Sequence, residues 1–478
     1  MLVVDVPPVV LDRASRTPLS AQIADALRSA TADGTLRAGD RLPSTRELAA
    51  ALGVSRTVTS AAFDQLLAEG WVGGRRGAGT FVLSAVTPAP GGTVLPGARD
   101  TGVPQLVDLR AGAPCLEVLD RSAWRRAWRA AGDAAPDRTP EPAGDPAFRA
   151  AVAEHLLRHR GLVVDAGLVL ASTGTSAAVA EIARALPPGC RVAVENPGYQ
   201  RVVGALREEG VEVVPVPVDR DGLVVDAVPA DVSAVYCTPA HQYPLGRRMS
   251  AARRSALVAR ARAEGWWVLE DDYDGELRYD VAPLPLLVAL GPDVVVHLGT
   301  ASKILSPTLG VGWMVAPPAV AESVLARRLG TGVRPPRAGQ RVMAAMAVSG
   351  DLARHLRRLR RELAGRRAEV CAAVEAAGRA VEGDPAGAHV FVPLEGAAEE
   401  AQVLAAAAQG GVTLDGLGRH LGAGPDEARA GLVLGFAAPD REELRRALAV
   451  VTTVLRHDDR GPASPEGDGP VTGPAARP

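Results

Sequence analysis

Lysine is almost absent from this sequence of 478 residues. Of its 53 lysine and arginine residues, only Lys303 is a lysine. A guanidinium stays protonated at every accessible pH, so arginine cannot attack a carbonyl as a neutral amine, whereas lysine can. A general drift toward arginine would have replaced a lysine that served only as a surface charge. Lys303 is therefore a candidate nucleophile, and the chance survival of one surface lysine is the alternative.

Cysteine is also scarce, and long apolar runs are missing. The four cysteines contain no Cys-x-x-Cys pair, which argues against a disulfide framework and a zinc site and favours a reducing cytoplasm. No run of about 18 apolar residues occurs, as a membrane-spanning helix requires. The start of the chain lacks a basic segment followed by an apolar stretch. Neither membrane insertion nor export is expected.

Neither sign of charge dominates the chain. The net charge is −2, which excludes binding to polyanions through bulk charge, although a neutral total can hide a local basic surface. Hydrophobic residues make up 47% and charged residues 23%. This balance excludes wholesale disorder, and the length predicts more than one domain. Any DNA-binding function must therefore be argued from a motif.

The first predicted domain, residues 1–83, has the order of a winged helix-turn-helix. Helical spacing from Thr17 to Asp33 is followed by a Ser-x-x-Glu capping box at Ser44 to Glu47, which opens a short second helix. Gly53 makes a turn, and Ser55 is placed to cap a third helix from Arg56 to about Glu69. A glycine-rich hairpin with a basic tip follows. A three-helix packing module with an ordinary charged surface is the alternative.

In a winged helix-turn-helix, the third helix reads the bases and the second positions it. Arg56, Thr57 and Ser60 lie near the start of the third helix, opposite its apolar stripe. Arg56 suits a bidentate contact with guanine, and Arg46 suits a phosphate or an adjacent base. Arg75 and Arg76 at the hairpin tip suit a narrow minor groove.

The rest of the chain predicts one large domain between two irregular segments. Residues 84–105 are rich in proline and glycine and are typical of a linker, whereas residues 457–478 predict a disordered tail. Between them, residues 106–456 alternate apolar strand-like runs with helical stretches, which predicts a largely parallel α/β sheet. A helical segment rich in arginine, Leu352 to Ala376, begins a smaller α+β part at the end of this domain.

Lys303 follows an apolar strand, Val294 to Leu298, at the sheet edge where ligands of α/β proteins collect. A lysine there could form an imine with the aldehyde of pyridoxal phosphate if burial lowered its pKa. That cofactor needs a carboxylate for its ring nitrogen, a hydroxyl near its phenolate oxygen, an aromatic side chain over its ring and donors for its phosphate. Asp271 and Tyr273, after the strand Trp267 to Leu269, offer the first two.

Three further segments supply the remaining groups. Ser172 to Ser176 precede a helical stretch, so Thr175 and Ser176 predict an anion site at a helix start. Ser302 could add another donor. Tyr199 can stack on the ring, and Arg201 can reach a substrate carboxylate. Each piece alone is also typical of an ordinary loop, a solvated turn or core packing.

The amino-terminal motifs resemble those of the GntR family of bacterial transcriptional regulators. The matching segments are Pro18 to Ser20, Gln22-Ile23, Gly34 to Ala49, Leu52 to Arg56, Ala68 to Trp71 and Gly77 to Val82. The remainder, from about Val107 to Leu455, resembles fold-type I aminotransferases. Together the two halves are similar to the MocR/GabR subgroup, which fuses these two parts in this order.

This resemblance implies a regulator that binds operator DNA through Arg46, Arg56 and Thr57. It implies a pyridoxal phosphate site on Lys303, a small amine or amino acid as a candidate effector, and a head-to-tail homodimer. A working aminotransferase with an accessory DNA-binding domain is one alternative. A regulator whose second domain only dimerises is another.

Two departures from the aminotransferase pattern bear on ligand binding. Where the family has leucine, arginine, any residue and glycine, this chain has Leu309 to Gly312, so Gly310 replaces the arginine that clamps the cofactor phosphate. Loss of that charge-assisted hydrogen bond predicts roughly tenfold to hundredfold weaker cofactor binding. Leu432 to Phe436 lacks the arginine that holds a substrate carboxylate, which disfavours efficient transamination.

Overall fold

The computed structural model describes residues 9–75, 79–83, 106–139, 141–279, 285–422 and 429–456. The chain divides into two compact units, Met1–Gly102 and Val103–Pro478, called here the first and second units. The predicted linker, the predicted tail and Arg76 lie outside the described residues, as does the side chain of Arg75. The predicted domain boundaries therefore stay predictions.

The first unit contains three helices and a hairpin. Its elements are α1 (Leu19–Ala32), α2 (Thr45–Leu52), α3 (Arg56–Ala68), β1 (Val72–Arg75) and β2 (Gly79–Val82). The helices close over one apolar core that includes Ile23, Leu48 and Phe63. The strands β1 and β2 pair antiparallel. These elements have the order of a winged helix-turn-helix.

The turn between α2 and α3 forms largely as the sequence predicts. The Ser44 hydroxyl accepts from the Glu47 amide, the Glu47 carboxylate accepts from the Ser44 amide, and Gly53 ends α2 at φ 60°. Ser55 occupies the position before α3 but its side chain makes no capping hydrogen bond, contrary to expectation. Instead, the Thr59 hydroxyl of α3 donates to the Thr45 carbonyl at 2.8 Å and so joins the two helices.

A sheet of eight strands forms the centre of the second unit. The strands of this unit are β3 (Val107–Asp108), β4 (Val169–Ser172), β5 (Arg191–Asn196), β6 (Glu212–Asp219), β7 (Gly222–Leu223), β8 (Ala234–Cys237), β9 (Trp267–Asp271), β10 (Val295–Thr300), β11 (Gly312–Val315), β12 (His389–Leu394), β13 (Val412–Thr413) and β14 (Ala430–Gly435). The order in the large sheet is β4-β11-β10-β9-β8-β5-β6-β7. Only β11 and β7 run antiparallel to their neighbours there, so the sheet is largely parallel, as predicted.

Helices cover both faces of this sheet. The helices of the second unit are α4 (Arg121–Asp133), α5 (Pro146–Arg160), α6 (Thr175–Ala183), α7 (Gln200–Glu208), α8 (Ala251–Glu264), α9 (Leu287–Leu290), α10 (Pro318–Thr331), α11 (Arg337–Val348), α12 (Asp351–Ala376), α13 (Ala397–Gln409) and α14 (Arg441–Leu455). Helices α6, α7 and α10 pack on one face, and α5, α8, α11 and α12 belong to the core of the other. The strands are therefore buried on both sides, which explains their continuous apolar runs.

The smaller α+β part combines α13 and α14 with β12 paired antiparallel to β14. In the large sheet, β4, β5, β8, β9 and β10 all run in one direction, so their carboxyl ends meet at one edge. This edge is where an open α/β sheet places its ligands. In the described part of the chain, no helix is both long and apolar enough to cross a membrane.

Candidate functional site

Lys303 lies at the carboxyl edge of the sheet, three residues beyond the end of β10. Its side chain is half-buried, and Nζ donates a hydrogen bond to the Gly112 carbonyl. Burial lowers the pKa of Lys303; the negative charge of Asp271 opposes this change and the positive charge of Arg201 adds to it. A lower pKa increases the fraction of neutral amine, the form that can attack a carbonyl.

Asp271 ends the neighbouring strand β9 and leaves one carboxylate oxygen without a partner. The Tyr236 hydroxyl donates to Oδ2 at 2.6 Å, whereas Oδ1 is buried and has no hydrogen-bond partner among the described residues. Burial raises the pKa of Asp271 to about 7, against the lowering effect of the Tyr236 hydroxyl and of the Thr175 hydroxyl, which lies near the carboxylate without meeting hydrogen-bond geometry. An unsatisfied buried acceptor is costly, so this oxygen fits a ligand that brings a proton, such as a protonated ring nitrogen.

A second buried carboxyl, which the sequence did not indicate, lies at the end of β5. Glu195 accepts hydrogen bonds from the Thr238 hydroxyl at 2.5 Å and the Thr238 amide at 3.1 Å, and its Oε1 has no partner among the described residues. Burial raises the pKa of Glu195 to about 7, and the negative charge of Asp271 acts in the same direction. Its position directly before Asn196-Pro197 at a strand end was the available sequence signal.

The start of α6 offers donors for an anion. The helix begins at Thr175, two residues earlier than the sequence predicts, so Thr175 and Ser176 lie in its first turn. Gly174 precedes the helix and makes no side-chain cap, which leaves amide groups of the first turn free for a ligand. Ser302 lies beside Lys303, where its hydroxyl accepts a hydrogen bond from Thr300 at 3.0 Å.

Gly310, predicted to replace a phosphate-binding arginine, lies in the turn before β11. Its backbone is left-handed, at φ 58° and ψ 43°. A Cβ built on Gly310 would meet no atom within 4 Å, so the turn offers open space. The residues at this edge thus fit the ring and aldehyde of pyridoxal phosphate, but position 310 provides no charge for its phosphate.

Two tyrosines stand together at the same edge. The rings of Tyr199 and Tyr243 are 5.7 Å apart and nearly perpendicular. Tyr199 is half-buried directly before α7, and Arg201 is exposed in the first turn of that helix. Arg201 is close enough to Lys303 for its charge to lower the pKa of the amine.

Tyr273, predicted to face the cofactor phenolate, donates its hydroxyl to the His241 carbonyl at 3.0 Å. The Nδ1 atom of His241 is 3.2 Å from the same hydroxyl and 2.8 Å from Oδ2 of Asp274. Because a carboxylate can only accept, Nδ1 carries the proton in this pair. The sequence did not indicate this buried pair.

His389 packs against His241, with the two rings 4.8 Å apart. Burial lowers the pKa of His389 well below its usual range. Among the described residues, His241, Asp274 and His389 form the only group of potential metal ligands within 4.8 Å of one another. The hydrogen bond between His241 and Asp274 explains why two of these residues lie close together without a bound metal ion.

The strand that was expected to lack a carboxylate-binding arginine is closed by apolar packing. Val433 of β14 is fully buried among Leu245, Phe391 and Leu417. None of the six residues of β14 itself is charged. A ligand carboxylate would therefore find no ionic partner on β14.

The predicted DNA-reading residues of the first unit are accessible. Arg46, Arg56 and Thr57 are exposed, and Ser60 is half-buried. Arg46 lies in the first turn of α2 and Arg56 begins α3. Within the described residues, neither arginine forms an ion pair or a side-chain hydrogen bond, so both remain available to phosphates or bases.

Comparison with known protein families matches both units. Residues 19–82 match the family described as "Bacterial regulatory proteins, gntR family". Residues 104–450 match the family described as "Aminotransferase class I and II".

Full-length relatives contain the same combination. The chain is 34% identical, over 94% of its length and 98% of the relative, to the HTH-type pyridoxine biosynthesis transcriptional regulator PdxR of Corynebacterium glutamicum. It is 32% identical, over 96% of its length and 100% of the relative, to the probable rhizopine catabolism regulatory protein MocR of Rhizobium meliloti. A crystal structure of Pyrococcus horikoshii kynurenine aminotransferase superposes with a TM-score of 0.66 at 24% identity, covering 73% of this chain and 91% of that one. This last similarity shows the fold of the second unit.

Proposed function

This chain belongs to the MocR-type branch of the gntR family of transcriptional regulators, and from that premise we propose that its second unit senses pyridoxal 5′-phosphate. In this proposal, occupancy of the second unit changes the affinity of the first unit for operator DNA. The relative from C. glutamicum is named for the regulation of pyridoxine biosynthesis, which supports this choice of ligand.

The observation that carries the proposal is that Lys303 and Asp271 lie at the same sheet edge, where the charge of Asp271 acts on the lysine amine. When bound, the cofactor supplies an aldehyde that can bond covalently to a neutral lysine amine. Lys303 has a lowered pKa, and the unpartnered Oδ1 of Asp271 suits the protonated ring nitrogen. The burial of Lys303 and its electrostatic interaction with Asp271 favour a ligand-binding lysine over a surface lysine kept by chance.

Other residues at this edge take supporting roles in the proposal. Tyr199 would cover the ring of the cofactor, and Tyr273 would serve its phenolate oxygen. Thr175 and Ser176 at the start of α6, together with Ser302 after β10, would donate to its phosphate. Arg201, exposed in α7, is the group that would meet the carboxylate of a cofactor adduct with an amino acid.

The apolar cluster around Val433 favours sensing over transamination. An aminotransferase gains specificity from a charged partner for the substrate carboxylate, and β14 has none. Pyridoxal phosphate itself needs no such partner, so we infer that the cofactor is the effector. A small amine or amino acid would then act only as part of a cofactor adduct.

The first unit provides the DNA contacts in this proposal. Arg56, Thr57 and Ser60 read bases from α3, Arg46 holds the adjacent backbone or a base, and Arg75 and Arg76 enter the minor groove. A head-to-tail homodimer in the cytoplasm would present two such units to a repeated or palindromic operator.

Absorbance spectroscopy and DNA binding together test the proposal. Added pyridoxal phosphate should give a visible band that borohydride fixes, and should change the affinity for the protein's own promoter DNA at least fivefold. Lys303→Arg keeps the positive charge but cannot bond to the aldehyde, so it should lose the band and the ligand response while still binding DNA. If the wild type is folded but shows no such band, pyridoxal phosphate is rejected as the ligand of the second unit. An unchanged ligand response in Lys303→Arg would instead favour the dimerisation role.

A further inference from the structure

The arginine-rich helix α12 has no role in the proposed function. In α4 and the first eleven residues of α12, nine arginines stand against two aspartates, although the whole chain has a net charge of −2. Such segregation of charge produces a strong local positive potential.

Contacts place these two segments side by side. Arg126 of α4 and Arg354 of α12 share the carboxylate of Asp351, at 3.1 and 2.7 Å. At the other end, hydrogen bonds from Ser122 and Ala123 lower the pKa of Asp120, which precedes α4, to about 2, and the charge of Arg358 adds to this effect. The start of α4 therefore lies near the second turn of α12, and the middle of α4 lies near the beginning of α12.

Six arginines on these helices lack a partner among the residues that the structure describes. Within the described part of the chain, none of them forms an ion pair or a side-chain hydrogen bond; five are exposed and one is half-buried. We call them the arginine surface: Arg121, Arg125, Arg129, Arg357, Arg358 and Arg361.

The spacing within each helix places like charges on one face. Arg121, Arg125 and Arg129 follow one another at intervals of four residues, as do Arg357 and Arg361. Like charges at this spacing destabilise a helix by about 0.2 to 0.5 kcal/mol per pair. The arrangement is therefore unfavourable unless an anionic partner neutralises it.

We propose that the arginine surface binds the phosphate backbone of DNA, as a second contact besides the helix-turn-helix. Arginine is the side chain best suited to phosphate, because its planar fork can donate two parallel hydrogen bonds. The backbone of a DNA duplex offers a regular line of phosphate charges to the arginines on the adjacent helices α4 and α12. This inference rests on the proposed function as a DNA-binding regulator.

A second copy of this chain is a poorer partner for the surface. In a twofold-symmetric interface, both subunits use the same patch, and residues near the symmetry axis face their own copies. An arginine surface centred on that axis would oppose like charges, which is repulsive. DNA, by contrast, is uniformly anionic, and binding to its backbone needs no sequence match.

The salt dependence of DNA binding tests this inference. The surface variant combines Arg121→Gln, Arg125→Gln, Arg357→Gln and Arg361→Gln, because glutamine preserves helix propensity. Affinity of the full-length protein for a duplex of random sequence is measured over a series of salt concentrations. Each lost phosphate contact reduces the slope of log affinity against log salt by about 0.9, so the variant should lose about 3 to 4.

A matched control distinguishes the loss of a specific binding site from a general reduction of positive charge. Arg138, Arg207, Arg327 and Arg456 are also exposed and without a partner among the described residues. Their fourfold change to glutamine should leave the slope close to that of the parent. Equal losses of slope in both variants would overturn the inference, since only net charge would then matter.

The remaining outcomes also decide between explanations. A changed oligomeric state in the surface variant, seen by gel filtration, would assign the arginines to a subunit contact and overturn the inference. An unchanged DNA slope with lost binding to phosphatidylserine vesicles would assign them to a membrane instead. Failure of the parent to bind any DNA would reject the proposed function itself. Normal parent binding with an unaltered slope in the surface variant rejects only the second contact.

Discussion

At the scale of single residues, the sheet edge holds two carboxyl groups that stay protonated up to nearly neutral pH. The pKa values of Glu195 and Asp271 are both raised to about 7, chiefly by burial, and the charge of Asp271 contributes to the shift of Glu195. Adjacent buried carboxyls avoid ionising together, because neither charge is solvated. The net charge around Lys303 is therefore sensitive to pH close to the physiological range.

Glu195 should make the protein less stable as pH rises. Its pKa is about 7 in the folded state and near 4.5 when unfolded, so the folded state binds this proton more tightly. Stability from this group is complete below pH 4.5 and is lost as pH rises through 7. Compared with Glu195→Gln, the wild type should lose on the order of 3 kcal/mol between pH 5 and 8.

Urea unfolding of the cofactor-free proteins at several pH values measures this loss. Burial lowers the pKa of His159 to about 4, so this group changes stability with pH in the opposite direction. His159 is present in both proteins, and its effect therefore cancels in the difference. Glu264→Gln, at an exposed glutamate, serves as the control and should keep the wild-type profile. Parallel profiles for wild type and Glu195→Gln would contradict the assignment.

Single residues differ in how far the sequence could identify them. Lys303 and Asp271 were predicted, because the chain has one lysine and because strand ends gather at one edge. Tyr236 was not, since inside an apolar strand it is typical of core packing. Only the parallel pairing of β8 with β9 brings its hydroxyl to Asp271. A hydrogen-bond partner of this kind depends on the order of the strands in the sheet, which local sequence patterns do not reveal.

At the scale of elements, the sequence predicts best where local hydrogen bonds decide the structure. The capping box at Ser44 and the turn at Gly53 form as expected, because both depend on a few adjacent residues. The start of α6 was predicted two residues too late. Threonine and serine are typical caps, but here Gly174 takes that position at φ 131° and ψ 171°. A positive φ of this size favours glycine over threonine or serine at that position.

The turn before β11 should accept an arginine that improves cofactor binding. In Gly310→Arg, the restored charge-assisted hydrogen bond should tighten pyridoxal phosphate binding about tenfold to a hundredfold. The left-handed backbone at this position should cost about 1 to 2 kcal/mol of folding stability, with or without ligand. Absorbance titration measures the first effect and urea unfolding the second.

Gly310→Ala separates backbone strain from charge. Alanine suffers the same left-handed conformation, so it should unfold at a similarly reduced urea concentration. It brings no guanidinium, and its affinity for the cofactor should equal that of the wild type. If alanine and arginine bound the cofactor equally well, the phosphate would not lie near this turn.

At the scale of the whole molecule, the number of domains can be predicted from the sequence, whereas the distribution of charge over the surface cannot. The length and the change of pattern along the chain indicated a small helical domain and a larger α/β domain, and the structure has two compact units. The net charge of −2 gave no sign of the arginine surface. Two segments separated by more than two hundred residues form that surface, and only tertiary packing brings them together.

Communication between the two units implies a reciprocal effect that can be measured. If pyridoxal phosphate changes the affinity for promoter DNA by some factor, DNA must change the affinity for pyridoxal phosphate by the same factor. We expect a factor between about 5 and 150, the usual range for coupled sites. Absorbance titration with and without saturating promoter duplex gives one factor, and DNA titration with and without the cofactor gives the other.

Substitutions in each unit then show that the coupling runs through both sites. Arg56→Ala should remove the effect of the duplex on cofactor affinity, because DNA no longer binds specifically. Lys303→Arg should remove the effect of the cofactor on DNA affinity. If both ligands bind the wild type and neither alters the affinity for the other, the second unit has no sensing role. Its contribution to regulation would then be limited to holding two chains together.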